Sequence, residues 1–168
     1  HLCPLKENCK AYTSGNPAQF GKKNMKEPKP KRWGLAFWIR RRDGKILFQK
    51  RPNDGLLGGM TDLPGSSWNT DNNALQELKR NPKITNWSII PGEIHHTFSH
   101  FHLNIRVAVI NPPPEPLLEK CFWHCPASAH ELALPALTKK IISHVIQFEK
   151  LTQKIVFSRR LISRATVY

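Results

Sequence analysis

The sequence predicts a mixed α/β (α+β) domain in which a largely antiparallel sheet carries flanking helices. From Phe101 to Val109 apolar residues alternate strictly with polar ones, which is the period of a half-buried strand. Residues 127–150 place apolar side chains on one stripe, which is typical of a helix packed on a core. With 168 residues, 39% of them hydrophobic, the chain can bury the core of one such domain.

A hairpin is predicted at the start of this domain. Residues 33–39 and 45–51 have the apolar and aromatic composition of strands, and the turn residues Asp43 and Gly44 lie between them. An ordered loop should follow over residues 51–65, because its leucines and its methionine need a core to pack against.

Next, a short helix is expected over residues 72–80, capped by Thr70 or Asp71 and ended by Pro82. Residues 84–94 are predicted to form one or two strands, with a turn at Pro91-Gly92. Residues 120–125 form a further strand.

The strand after Phe101 should have a wet face rich in cations, formed by His100, His102, Asn104 and Arg106. One or two helices, divided near Pro135, are expected over residues 127–150. The apolar stripe of these helices comprises Leu137, Ile141, Ile142, Val145 and Phe148.

The chain divides by composition into four parts: a cysteine-bearing stub (1–12), a basic linker (13–32), the domain (33–148) and a basic tail with no obvious role (149–168). The net charge of +14, from 26 basic and 12 acidic residues, indicates a polyanionic partner. Ribosomal and membrane-surface proteins share this property. The linker could lie along a phosphate backbone through Lys22, Lys23, Lys26, Lys29, Lys31 and Arg32. Neither a membrane span nor a signal peptide is recognisable, so we expect a soluble, cytoplasmic protein.

The stretch HHTFSHFHL (95–103) admits three interpretations. Its histidines could bind zinc or copper, but no acidic or cysteine ligand lies in the stretch and Arg106 shares the strand face. Ser99 could be a nucleophile, but there is no G-x-S-x-G elbow. The third interpretation is contact with a base, for which serine supplies a donor and acceptors and phenylalanine a π-face. Phe101 is expected in the core, which leaves Phe98, Ser99 and His100 as contact candidates.

The four cysteines suggest a second possible metal site. Cys3, Cys9, Cys121 and Cys125 could form a zinc site, although neither pair has the C-x2-C spacing of a zinc knuckle. Cys121 and Cys125 flank Phe122 and Trp123 in an apolar stretch, and we expect them to be buried small hydrophobic side chains.

Three motifs in their order resemble one family: CPLKENC (3–9), QKRPNDGLLGGMTDLPG (49–65) and HHTFSHFHL (95–103). They resemble the C-terminal part of bacterial adenine DNA glycosylases of the MutY type, and ELALPALTKK (131–140) is similar to the family's closing helix. The likeness covers about residues 1–148. It implies a Nudix-like domain whose parent protein removes adenine mispaired with 8-oxoguanine in base excision repair. It also implies a monomer associated with the bacterial nucleoid, whose partner is double-stranded DNA with 8-oxoguanine opposite adenine.

The resemblance assigns roles to individual residues. The family's F-S-H run, which reads the oxidised guanine, maps onto Phe98, Ser99 and His100, and a preceding histidine maps onto His96. Cys3 and Cys9 have the spacing of the third and fourth ligands of the family's [4Fe–4S] cluster. The chain then resembles a fragment that begins just inside the cluster motif, so we expect these residues alone to bind no cluster and to lack the catalytic carboxylates.

A free-standing Nudix-like nucleotide-binding module, or a degenerate Nudix hydrolase, is the alternative. Nudix hydrolases use a G-x5-E-x7-R-E-x2-E-E motif to hold magnesium at a pyrophosphate. After the glycine-rich loop this chain offers NTDNNALQELKRN (69–81), with Glu77 as its only glutamate. The metal ligands are missing from the sequence, so hydrolysis of nucleotide diphosphates is not expected.

Overall fold

The computed structural model describes residues 3–21, 27–80, 84, 86–111 and 120–165, with the backbone alone for residue 21 and from residue 154 onward. Within these described residues, six strands form two three-stranded sheets, with the orders β1-β5-β4 and β3-β2-β6. The predicted α/β class is confirmed. The strands are β1 (Lys31–Ile39), β2 (Ile46–Lys50), β3 (Thr61–Asp62), β4 (Trp87–Thr97), β5 (His102–Ile110) and β6 (Cys121–His124).

Strand β5 is the centre of the first sheet. It pairs in parallel with β1 from Lys31↔His102 to Ile39↔Ile110 and antiparallel with β4. In the second sheet all pairs are antiparallel. Strand β1 begins two residues inside the predicted linker, because backbone pairing with β5 extends to Lys31.

The predicted hairpin of β1 and β2 is wrong. Its turn forms, with the Arg41 amide donating to the Lys45 carbonyl at 2.8 Å. After one bridge, Arg40↔Ile46, the strands enter different sheets. The edge of β1 that faces away from β5 is occupied by residues 65–69, through the bridges Ala36↔Gly65 and Trp33↔Asn69, so β2 pairs in the second sheet instead.

The expected turn at Pro91-Gly92 is also wrong. Strand β4 continues through these residues, and the register shifts between Ile90 and Ile94 as in a β-bulge. Gly92 supplies the positive φ of 96° that the bulge needs. A proline fits there because the ladder is already interrupted at this point.

The described part of the chain also contains the α-helices α1 (Lys10–Thr13), α2 (Ala74–Arg80) and α3 (Ala136–Ala165). Helix α2 begins after Asn73, whose carbonyl accepts the first helical hydrogen bonds, and neither Thr70 nor Asp71 caps it. Pro82, the expected stop, lies outside the described residues. Short 3-10 turns cover Lys6–Asn8, Pro17–Gly21 and Pro126–Glu131.

Helix α3 starts directly after Pro135, as predicted, and its backbone continues beyond residue 149 without a break. Four of the five predicted stripe residues are buried, and Phe148 is partly buried against the same core. Among the helices described, none is both long and apolar enough to span a membrane.

The main core lies between the two sheets and α3. A second cluster packs α2 against the other face of the first sheet, around Leu35 and Ala108. This cluster buries Ala108, and a third cluster with Ile39 and Leu47 buries Ile110. The solvent-exposed face of β5 is therefore confined to its first half.

Candidate nucleic-acid interface

The hairpin tip, residues 98–101, joins β4 to β5. The last paired residues are Thr97 and His102, and the Phe98 amide donates to the Phe101 carbonyl at 2.9 Å. Ser99 and His100 occupy the two central positions and are both exposed. Of the three predicted contact residues, Ser99 and His100 therefore present their side chains to solvent, whereas Phe98 is half-buried.

Phe98 and Phe101 belong to an aromatic cluster beneath the tip. Phe101 is buried, as expected, and its ring centroid is 4.9 Å from that of Phe98. Phe98 is half-buried, with the Trp68 ring stacked at 5.7 Å and the His96 ring edge-on at 4.6 Å. Since its ring is packed in this way, Phe98 supports the tip more than it offers a free stacking face.

Trp68 was not singled out from the sequence. It comes to the tip because Gly34 in β1 leaves room: a Cβ there would lie 2.6 Å from Trp68 Cδ1. A glycine inside a strand is the available signal, because it often marks the close approach of another group.

A series of polar contacts connects the Trp68 ring to helix α3. The Arg51 guanidinium lies 5.3 Å from the centre of the Trp68 ring and pairs with Asp62 at 3.0 Å. The Asp62 carboxylate also accepts from the Thr138 hydroxyl at 2.7 Å, where both residues are buried. These contacts connect the aromatic cluster to α3 through paired polar groups, as burial requires.

Basic residues of the predicted linker gather beside the tip. Lys29 Nζ donates to the Phe98 carbonyl at 3.0 Å, and the Arg32 guanidinium lies 4.5 Å from the centre of the Phe101 ring. Lys31 pairs in register with His102. Lys22, Lys23 and Lys26 lie outside the described residues.

His96 points away from Ser99, toward the side of the sheet that α3 covers. It is half-buried, and its Nδ1 has no hydrogen-bond partner in the described structure. Burial, and secondarily the charge of Lys140, lower the pKa of His96. The neutral imidazole is therefore favoured, which suits a packing role better than phosphate binding.

No metal site forms from the described residues: nowhere do three histidine, cysteine or acidic side chains come together. Cys3 is exposed and Cys9 half-buried, and Cys121 and Cys125 belong to β6 and its end. Cys125 is exposed, which corrects the expectation of burial, because it follows the last residue of the strand. A [4Fe–4S] cluster needs four thiolates at one place, and no three of these cysteines come together in the described structure, so they do not by themselves fit one.

The space between the two sheets is nearly closed. A cavity of about 40 Å³ lies there beside Arg51, Asp62 and Trp68, whereas small-molecule sites usually measure about 300–1,000 Å³. No nucleotide fits this cavity as it stands.

The glutamate of residues 69–81, Glu77, lies on α2 and accepts a hydrogen bond from Asn69 at 3.3 Å.

A larger cleft of about 630 Å³ lies at the opposite end of the first sheet. It is lined by Trp38, by residues 40–42, which are all arginine, and by Glu149. Glu149 pairs with Arg40 at 2.8 Å and is the only carboxylate that lines the cleft among the described residues. One paired carboxylate does not make a magnesium pyrophosphate site.

Comparison with known proteins defines the class. The sequence profile of the NUDIX domain matches residues 35–144, so the chain belongs to the NUDIX domain family. It is 37% identical to human adenine DNA glycosylase over 70 residues. That match covers 38% of this chain and 13% of the human protein, so the chain spans only a small part of this relative.

Solved structures agree on the fold. The C-terminal domain of mouse MUTYH, determined in complex with human PCNA, superposes with a TM-score of 0.53 at 20% identity, covering 71% of this chain and 90% of that one. The MutT protein from Methanosarcina mazei Go1 gives 0.52 at 16% identity, covering 76% and 99%. At these identities the likeness concerns the fold alone, which the C-terminal domain of MUTYH and a MutT protein share.

Proposed function

We propose that this chain is the DNA-binding, lesion-reading segment of an adenine DNA glycosylase of the MutY type. The hairpin tip carries the proposal, because it holds Ser99 and His100 outward on a packed aromatic base with cations alongside. The sequence similarity to human adenine DNA glycosylase supports the same assignment.

The chemistry of Ser99 suits the proposed ligand. 8-Oxoguanine carries an N7–H donor and an O8 acceptor that guanine lacks, and a hydroxyl can accept from the first or donate to the second. Such a contact discriminates by about 1–3 kcal/mol between bases. The backbone bond from Phe98 to Phe101 and the packing of both rings hold the backbone of the tip in place before binding, which reduces the entropic cost.

The remaining parts of the proposal follow from charge and from the family. The net charge of +14, together with Lys29, Lys31 and Arg32 at the tip, provides sequence-independent affinity for phosphates. Adenine excision belongs to residues outside these 168. Cys3 and Cys9 are assigned to the [4Fe–4S] cluster of the parent protein, which acts on DNA in the bacterial cytoplasm.

Binding to two duplexes tests the proposal. Fluorescence anisotropy at matched salt compares a duplex that holds 8-oxoguanine opposite adenine with the same duplex holding guanine there. The wild type prefers the lesion, and Ser99→Ala reduces the preference by about 5- to 150-fold or to its limit of no preference. Ser88→Ala, an exposed serine at the other end of β4, is the matched control and leaves it unchanged. Equal binding of the wild type to both duplexes would refute the assignment.

A nucleotide-binding module or degenerate Nudix hydrolase is the second candidate, favoured by the fold shared with a MutT protein. It is disfavoured by the lone glutamate of α2 and by the small cavity between the sheets. Incubation with 8-oxo-dGTP and Mg²⁺ tests the hydrolase form of this candidate. We expect no release of phosphate or pyrophosphate above the rate without protein, and turnover would establish the second candidate instead.

A further inference from the structure

The first sheet has an open polar face beside the hairpin tip. Alternate residues of its three strands point away from α3, and helix α2 covers only the half of this face around Leu35 and Ala108. The other half is exposed or half-buried. We call it the polar strip; it comprises Lys31, His95, Thr97, His102, Asn104 and Arg106.

Two histidines of the polar strip are held in matching ways by cross-strand neighbours. His95 Nδ1 lies 2.8 Å from Asn104 Oδ1, its partner in register on β5. His102 Nδ1 lies 2.9 Å from Thr97 Oγ1, its partner on β4. Each ring is therefore oriented by its Nδ1, which leaves Nε2 as the nitrogen available to a ligand.

The bond to Asn104 determines what His95 can do. An amide oxygen only accepts, so His95 Nδ1 carries the hydrogen and the neutral ring has a lone pair on Nε2. That lone pair cannot donate to a phosphate oxygen. After protonation Nε2 becomes a charged donor, whose hydrogen bond to an anion is about twice as strong as a neutral one. The side chain thus binds phosphate in only one of its two charge states.

Neighbouring basic residues add positive charge around His95 and His102. His95 and His102 occupy diagonal positions on neighbouring strands, about 7–8 Å apart. Lys31 stands next to His102 on β1, and Arg106 faces Glu93 at 3.4 Å. From the covered side of the sheet, Lys140 of α3 donates to the His95 carbonyl at 3.4 Å. Among the described residues, the ion pair of Glu93 with Arg106 brings an acidic group to the polar strip.

We propose that the polar strip binds the sugar–phosphate backbone of a duplex. In this proposal His95 is a donor that engages only when protonated, and His102, whose Nδ1 can accept from the Thr97 hydroxyl, is a donor that protonation strengthens. The proposal rests on the proposed function in taking DNA as the polyanion. It goes further by assigning a phosphate site outside the hairpin tip, and by making general DNA affinity, though not lesion preference, dependent on pH.

The test uses the full chain and an unmodified duplex of about 25 base pairs, so that the tip has no lesion to read. Anisotropy is measured at pH 6.0 and 8.0, at equal ionic strength and over a series of salt concentrations. Histidine changes charge in this interval, so binding should be tighter at pH 6.0. The slope of log affinity against log salt should steepen by about 1–2, since each phosphate neutralised contributes about 0.9.

The variants are measured in a His100→Gln background, so that the exposed histidine of the hairpin tip does not contribute. In that background His95→Gln with His102→Gln should bind equally at both pH values and lose the steepening. The matched control is His130→Gln, an exposed histidine of the 3-10 turn before α3, which should retain both effects. Affinity of the wild type that does not depend on pH would overturn the proposal, and so would an equal loss in the control.

A second measurement does not depend on the variants folding. Histidine ring signals in NMR spectra of the wild type, with and without the duplex, should show His95 and His102 holding their protons to higher pH when DNA is bound. Unchanged titration of both rings would also overturn the proposal. If lesion preference is absent while the pH effect persists, only the proposed function fails.

Discussion

A methyl group added at Gly34 should displace Trp68 and so disturb the hairpin tip that Trp68 supports. The new Cβ would lie 2.6 Å from Trp68 Cδ1 and 3.3 Å from Ile105 Cδ1, so Trp68 must move. Trp68 stacks on Phe98, whose carbonyl and amide define the tip. We therefore expect Gly34→Ala to reduce both the stability of the domain and the lesion preference.

The magnitude follows from two opposing terms. Overpacking a well-packed site costs about 1–3 kcal/mol. Replacing glycine by alanine restricts the unfolded chain and returns about 0.4–1 kcal/mol where the backbone allows it. A net loss of about 0.5–2 kcal/mol remains, which lowers the melting temperature by roughly 1–8 °C for a chain of this size.

A double-mutant cycle with Trp68→Leu identifies the cause. Urea denaturation gives the free energy of unfolding for the wild type, both single variants and the double variant. Once the indole is gone, Gly34→Ala should lose most of its penalty, because the remaining tight contact, Ile105 Cδ1 at 3.3 Å, is the end of a flexible side chain. The same penalty in both backgrounds would show that Trp68 is not the group displaced.

Two further predictions concern buried groups. Thr138→Val removes the hydroxyl that donates to the Asp62 carboxylate, and should lower the free energy of unfolding in urea by about 1.5–3 kcal/mol. The exposed control Thr152→Val should change it little, and equal losses would contradict this reasoning. Because burial lowers the pKa of His96, the unfolded state binds its proton more readily. Stability should therefore fall as the pH drops through the ordinary histidine range near 6.5, and thermal unfolding should show a shallower fall for His96→Gln. An unchanged slope would contradict it.

Local patterns predicted the parts of the site that depend on neighbouring residues. Alternation from Phe101 onward gave strand β5, the burial of Phe101 and the place where the exposed tip begins. The stripe of α3 was found in the same way. In each case one periodicity decides which side chains face the core, and no distant partner changes the outcome.

The pairing of strands that lie far apart in sequence could not be predicted from local patterns. Asp43-Gly44 correctly indicated a reversal of the chain, but a turn does not specify which sheet the returning strand joins. The parallel pairing of β1 with β5 connects residues far apart in sequence. Trp68 lies in a loop without periodicity, so its place under Phe98 depends on a space that Gly34 creates in another element.

The parallel pairing has a mechanical consequence. Strands β1 and β5 start at the same end of the sheet, so the polypeptide before β1 emerges beside the hairpin tip, where the His102 amide donates to the Pro30 carbonyl at 2.9 Å. A pulling force applied between that polypeptide and the tip would separate β1 from β5 one residue pair at a time, beginning at Lys31↔His102. The hydrogen bonds near Ile39 and Ile110 would be the last to break. The first part to yield under tension is thus the junction at the tip, while the far end of the sheet remains paired.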